Sequence, residues 1–147
     1  MAEEKTTGSL SRVLEGMSAQ AEAGDFVQRH GEPADITFRE YLARQIEERK
    51  IDRAEVVRRS GISTNYVYNI LSGARGNPGR DKVLALCIAS EMTYRQTRRA
   101  LEICGHAPLY PRDERDVRIA IAINEETRDV LEVNLMLDRY GMKPLDI

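Results

Sequence analysis

Thr64, Asn65, Tyr68 and Asn69 sit within the run DRAEVVRRSGISTNYVYNILSG, from Asp52 to Gly73, at steps of one, three and one residues. On an α-helix those steps gather all four side chains on one face. The face offers hydrogen-bonding groups and contains no acid. An asparagine amide can bond bidentately to the N6/N7 edge of adenine. A threonine can offer its hydroxyl, or its methyl to thymine. Solvated helix faces more often carry Glu and Lys, so an acid-free face suits an approach to phosphate. Arg53 precedes these four residues in the chain, and Arg75, Arg80 and Lys82 follow them. Cations so placed can hold a phosphate backbone and fix register, with Tyr68 touching a sugar-phosphate or a thymine methyl.

Two short helices must position these groups. Arg53 to Ser60 is helix-tolerant, with apolar Val56 and Val57, and Asp52 with Glu55 forms a D-x-x-E capping box at its front. Gly61 falls where that helix must stop and φ must turn positive. Ile62 plugs back toward the core. Ser63 can cap a second helix, whose buried face is Val67, Ile70 and Leu71. Val57, Gly61, Val67 and Ile70 lie four, six and three residues apart. This spacing predicts that Val57 packs under the turn while Val67 and Ile70 pin the second helix. Two such helices around a Gly turn make a helix-turn-helix, whose second helix enters the major groove.

With these residues in place, the chain resembles the Cro/C1-type (XRE) helix-turn-helix proteins. The resemblance spans roughly Thr37 to Gly105. It implies a five-helix, lambda-repressor-like DNA-binding domain over residues 37–105. It also implies base contacts from Thr64, Asn65 and Asn69, and backbone contacts from Arg53, Arg75, Arg80 and Lys82. Val57 stands where that family usually has Ala, which predicts slightly wider spacing of the motif helices. Gly79 stands where a Ser or Thr cap is usual, which predicts a less sharp start to the next helix. The stretches APLYPRDERD, EVNLML and GMKPL are similar to a helical extension that follows the domain in some bacterial members.

The rest of the chain fits an all-α protein. It has 147 residues, enough for one domain with an appendage, and 41% are hydrophobic. Trp is absent and aromatics are few, so the core must be aliphatic. Net charge is −2, but its distribution is uneven. Residues 1–36 hold 3 basic and 7 acidic groups, residues 37–82 hold 10 and 6, and residues 83–147 hold 9 and 11. The basic excess therefore lies on the motif segment, where a phosphate footprint needs it. It is small, which points to binding as a dimer.

Residues 1–36 read as an acidic helical arm. Leu10, Val13, Leu14 and Met17 lie at helical spacing, Gly24 is a break, and Phe26 and Val27 form an apolar hook before Gly31 and Pro33. Thr37 with Glu40 then caps a helix bearing Phe38, Tyr41, Leu42 and Ile46. Further helices are predicted from about Arg80 to Ser90 and, after a Thr93/Gln96 box, to Cys104. The outer-face arginines Arg95, Arg98 and Arg99 read as solvated. Leu101-x3-Gly105-x2-Pro108-Leu109 recurs 36 residues later as Leu137-x3-Gly141-x2-Pro144-Leu145. Each copy reads as a helix end, a Gly cap and a Leu tucked back. Residues 106–147 are thus expected to form a helical pair, about 112–123 and 125–140, with Asn124 capping the second. Val117–Ile123 also alternates, so a strand is the minority reading there.

Cys87 and Cys104 match no metal spacing, and His30 and His106 are isolated, so reduced thiols and no metal are expected. His106 is expected to cap a helix or face water. No phosphate loop or nucleophile–base set is present, which argues against an enzyme and for no cofactor. The absence of a signal core or a spanning apolar run leads to the expectation of a cytoplasmic protein without a membrane partner.

The function these features predict is a sequence-specific DNA-binding transcriptional regulator, repressor-like, reading double-stranded DNA with residues 64–72. A homodimer through the apolar C-terminal helices is expected. The alternative is a protein-interaction adaptor, or an antitoxin-like protein that binds a protein partner through the same scaffold.

Overall fold

The structure is a computed structural model, and it describes residues 7–24 and 36–147. Two compact units divide at residue 36: Met1–Ile36 and Thr37–Ile147. In the first, α1 (Thr7–Glu15) is followed by a 3-10 turn at Gln20–Glu22. The helix stops well before Gly24, because the amide of Gly16 turns back to the Val13 carbonyl. Phe26, Val27, His30, Gly31 and Pro33 lie outside the described residues.

The second unit is built from α2 (Phe38–Glu48), α3 (Arg53–Ser60), α4 (Thr64–Ser72), α5 (Arg80–Ala89), α6 (Tyr94–Ile103), α7 (Glu114–Asn124) and α8 (Val130–Arg139). No strand occurs among the described residues, so the chain there is all-α and Val117–Ile123 is helical. Most of these helices start at a side-chain cap. Thr37, Asp52, Ser63, Thr93, Asp113 and Asp129 each accept a hydrogen bond from an amide in the first turn. Gly79, before α5, offers no such bond. Only the Thr93/Gln96 pair closes a full capping box. Glu55 does not reach back to Asp52, because its carboxylate is held by Arg58 and Arg59.

The core is mostly aliphatic, with buried Phe38 and Tyr41 as its aromatic members, and it centres on α5, where every residue from Val83 to Ala89 is buried. This helix packs against α3, α6 and α8. Burying apolar side chains on all its faces removes water from several partners at once, the dominant favourable contribution to folding. Cys87 and Cys104 are buried free thiols. Burial raises both above the ordinary thiol range, Cys104 to about 11, so both are poor nucleophiles.

The last two helices pack on this core: α7 on α6, and α8 on both α3 and α5. Their boundaries differ from those read in the sequence. Asn124 ends α7 rather than starting α8. The chain turns through Glu126 at φ +62°, with the Thr127 amide bonded back to the Ala122 carbonyl, and Asp129 caps α8. Glu126 is a non-glycine residue in the left-handed region, which costs about 1–2 kcal/mol. Glu126→Gly is therefore expected to raise stability by roughly 0.5–1 kcal/mol, after allowance for the added freedom of the unfolded chain. Chemical denaturation that shows an equal or lower midpoint would count against this assignment of strain.

The two copies of the Gly-x2-Pro-Leu element share one structure. Gly105 and Gly141 take φ +73° and +71°. The following amides, of His106 and Met142, bond to the Leu101 and Leu137 carbonyls, and Leu109 and Leu145 are buried. Each copy then presents two carbonyls to an arginine and one amide to an aspartate. Ala107 and Pro108 accept from Arg80, and the Tyr110 amide donates to Asp116. Lys143 and Pro144 accept from Arg115, and the Asp146 amide donates to Asp81. The two pairs of charged residues cross: Arg80 forks onto Asp116 at 3.1 and 2.9 Å, and Arg115 onto Asp81 at 3.3 and 3.0 Å. The start of α5 and the start of α7 are thus locked together by two bidentate pairs.

Candidate nucleic-acid interface

The connection from α3 to α4 is three residues long. Gly61 takes φ +70°, and a Cβ there would lie 2.8 Å from Cδ1 of Ile147. The positive φ disfavours a side chain in this turn, and a Cβ would also have to push aside the tip of the Ile147 side chain. Ile62 is buried beneath it. Val56 is the buried residue of α3 under the turn, and Val57, expected in that place, is only half-buried. A helix advances 100° per residue, so Val56 and Ser60 share the inward face while Val57 lies to one side. Ser60 was missed by the apolar pattern because it is polar. Its hydroxyl donates to the Val57 carbonyl at 2.9 Å and accepts the Ile62 amide at 3.1 Å, which closes the helix end. A Ser four residues after a buried Val, just before the turn glycine, was the available signal.

On α4, Val67, Ile70 and Leu71 are buried, and Thr64, Asn65, Tyr68 and Asn69 are all exposed. The four predicted contact residues therefore share one solvent-facing surface. Tyr68 is 41% exposed, so its ring and hydroxyl are open to a partner. The first turn of α4 contains no acid, so the positive end of the helix dipole is not neutralised by a side chain. This electrostatic setting favours an approaching anion.

The four predicted phosphate-holding cations have different surroundings. Arg53 is exposed in the first turn of α3. Arg75 and Lys82 converge on the ring of Tyr66, with the guanidinium carbon 4.5 Å and the ammonium nitrogen 4.8 Å from its centroid. The Arg75 amide is also tied to the Asn69 carbonyl, which fixes the backbone just after α4. Arg80 is engaged elsewhere. Its guanidinium spends four of its five N–H donors on Asp116 and the carbonyls of Ala107 and Pro108, which leaves little of it for a backbone phosphate. An arginine beside a glycine-rich loop gives the same sequence signal whether it faces phosphate or an acid 36 residues away.

Two residues near this surface escaped the sequence reading. Tyr66 looked like one more helix residue, and its role comes from the cations around it. Arg39, exposed at the start of α2, lies over Gly73, where a Cβ would meet its Nε at 3.2 Å. This places a further cation beside the end of α4. Two other arginines of the basic segment are neutralised. Arg58 pairs with Glu55, and Arg59 pairs with Glu55 and Glu91. The hydrogen bond from Arg58 contributes most to holding the Glu55 carboxyl down, at about 2, against the opposing effect of burial. On α6, Arg99 pairs with Glu102, in line with a solvated face.

His106 does not cap its helix. Its Nε2 lies 2.8 Å from the Pro78 carbonyl, where an N–H donates and ties the end of α6 to the loop before α5. Among the described residues no group of His, Cys, Asp or Glu could hold a metal ion, and no helix is long and apolar enough to cross a membrane. No family model, curated protein or solved structure matches this chain.

Proposed function

We propose that this chain is a sequence-specific DNA-binding transcriptional regulator of the Cro/C1-type helix-turn-helix kind. In this reading residues 37–105 are a lambda-repressor-like domain and α4 lies in the major groove. Thr64, Asn65 and Asn69 contact base edges, and Tyr68 contacts sugar-phosphate or a thymine methyl. Arg53, Arg75 and Lys82 hold phosphates, with Arg39 as a further candidate, while Arg80 serves the fold. The observation that carries the reading is the exposed, acid-free face of α4, flanked by cations and backed by buried Val67 and Ile70. A protein with no use for that face gains nothing from keeping it uncharged.

Leu131 and Leu135, one helical turn apart on α8, are 64% and 55% exposed. They favour a protein partner for this surface, and a second copy of the chain is the partner that doubles the phosphate contacts. An adaptor or antitoxin-like role uses the same leucines without DNA. Retention of fragmented genomic DNA on the purified protein near physiological salt, followed by sequencing, tests the proposal. A shared motif among the retained fragments supports a site-specific regulator. Fragments without a motif, or none, favour the adaptor reading. DNA affinity should also fall steeply with salt, whereas apolar docking of a protein should not.

A further inference from the structure

We propose that Tyr66, Arg75 and Lys82 form one phosphodiester clamp, in which the tyrosine ring is the positioning element and the two cations are the ligands. The inference rests on the DNA-binding reading and gives that surface a specific anchor. Arg75 belongs to the loop after α4 and Lys82 to the first turn of α5, seven residues further on. The half-buried Tyr66 ring lies between them, at 4.5 and 4.8 Å from the two charged groups. Both distances are within the range of a cation–π contact, in which the negative face of the ring attracts the charge.

The arrangement has an electrostatic cost that identifies its ligand. Both cations touch one ring, so they lie within about 10 Å of each other, roughly one Debye length or less. Neither is paired with a carboxylate among the described residues. Asp81, the acid adjacent in sequence to Lys82, is turned to Arg115 and the Asp146 amide. Two like charges held within about 10 Å of each other without an acid repel, and an anion within reach of both offsets that repulsion. The ring lets each cation keep its charge and its donors, since a cation–π contact uses no N–H. Arg75 can offer its planar fork to phosphate oxygens, and Lys82 a point charge. The clamp borders the exposed face of α4, so an anion held there fixes how that helix meets the grooves. A phosphodiester of a nucleic-acid backbone meets these requirements and carries no sequence information.

The test compares wild type with Tyr66→Leu, Tyr66→Phe, the double variant Arg75→Gln/Lys82→Gln, and the triple variant that adds Tyr66→Leu. Each is checked for folding by thermal melting. DNA affinity is then measured across a salt series, on the motif recovered from genomic fragments and on random duplex. Tyr66→Leu should flatten the plot of log K against log salt by roughly 0.9–1.8, the equivalent of one or two phosphates. Tyr66→Phe should keep the wild-type slope, because the ring is retained. The ratio of cognate to random affinity should not move. Tyr66→Leu should add nothing further in the Arg75→Gln/Lys82→Gln background, which separates positioning from a general structural effect. If Tyr66→Leu melts below the working temperature, the double variant still reads out the two cations. In addition, the upfield ring-current shift of the Lys82 ε-methylene in wild type reads out the packing. A wild-type slope in folded Tyr66→Leu, or in the double variant, overturns the clamp alone. The absence of that ring-current shift also overturns it. Wild-type protein that binds no DNA at any salt overturns the DNA-binding reading, and the clamp with it.

Discussion

Asp116→Ala is expected to cost about 3–5 kcal/mol of stability, the range for removing one partner of a buried ion pair. For a unit of this size that corresponds to a fall in melting temperature of roughly 10 °C or more. The carboxylate is 9% exposed on its side chain and accepts from both arms of Arg80 and from the Tyr110 amide. Its loss leaves Arg80, only 25% exposed, without its counter-charge, and leaves the Tyr110 amide without this acceptor. The effect should spread, because Arg80 also holds the carbonyls of Ala107 and Pro108 at the end of the first Gly-x2-Pro-Leu element. Differential scanning calorimetry of wild type and variant checks this. A fall of only 1–2 °C would show that the crossed pairs are peripheral.

The matching pair gives the same network a pH dependence. Burial pushes the Asp81 carboxyl up, but the hydrogen bonds from Arg115 and the Asp146 amide, with the charges of Arg115 and Arg80, hold it below its ordinary value overall. A carboxylate whose folded pKa is depressed stabilises the fold above its unfolded pKa, and loses that contribution as pH falls through the folded value. Wild-type stability should therefore drop as pH falls below about 4, and less steeply in Asp81→Asn. Parallel acid titrations of the two proteins would count against the assignment.

Asn65→Ala and Asn69→Ala are each expected to weaken binding to the recovered motif by about 1–3 kcal/mol, the range for a good bidentate base contact. Binding to random duplex should be nearly unchanged, so preference flattens while the salt slope stays. Both side chains are exposed on α4, away from buried Val67 and Ile70, so stability should change by less than about 0.5 kcal/mol. This pattern is the reverse of that expected at Tyr66, where the slope moves and the preference does not. Equal losses on cognate and random DNA would show that the asparagines do not read bases. Gly61→Ala, in contrast, should lower stability by about 1–2 kcal/mol, since it places a side chain at positive φ in the turn.

The sequence determined whatever depends on neighbours a few residues apart. Apolar residues at helical spacing marked α2, α4 and α5. Thr37, Ser63 and Thr93 marked helix starts, and Gly61, Gly105 and Gly141 marked ends that need positive φ. These are properties of a single helix, set by 3.6 residues per turn and by the amides and carbonyls its ends leave open. The same local rules placed Thr64, Asn65, Tyr68 and Asn69 on one exposed face. They also flagged the repeated Gly-x2-Pro-Leu element, though not what it holds.

Only the tertiary structure decided where the charges go. Arg75, Arg80 and Lys82 are equivalent in sequence, three cations in one turn-rich stretch. Packing gave Arg80 an acid from α7 and gave Arg75 and Lys82 an aromatic ring from α4. Val56 replaced Val57 beneath the turn because α5 and its neighbours select which side of α3 faces inward. Long side chains of like charge look alike until the helices around them are fixed. Which ones are neutralised, and which remain available to an anion, follows from distances between elements far apart in the chain.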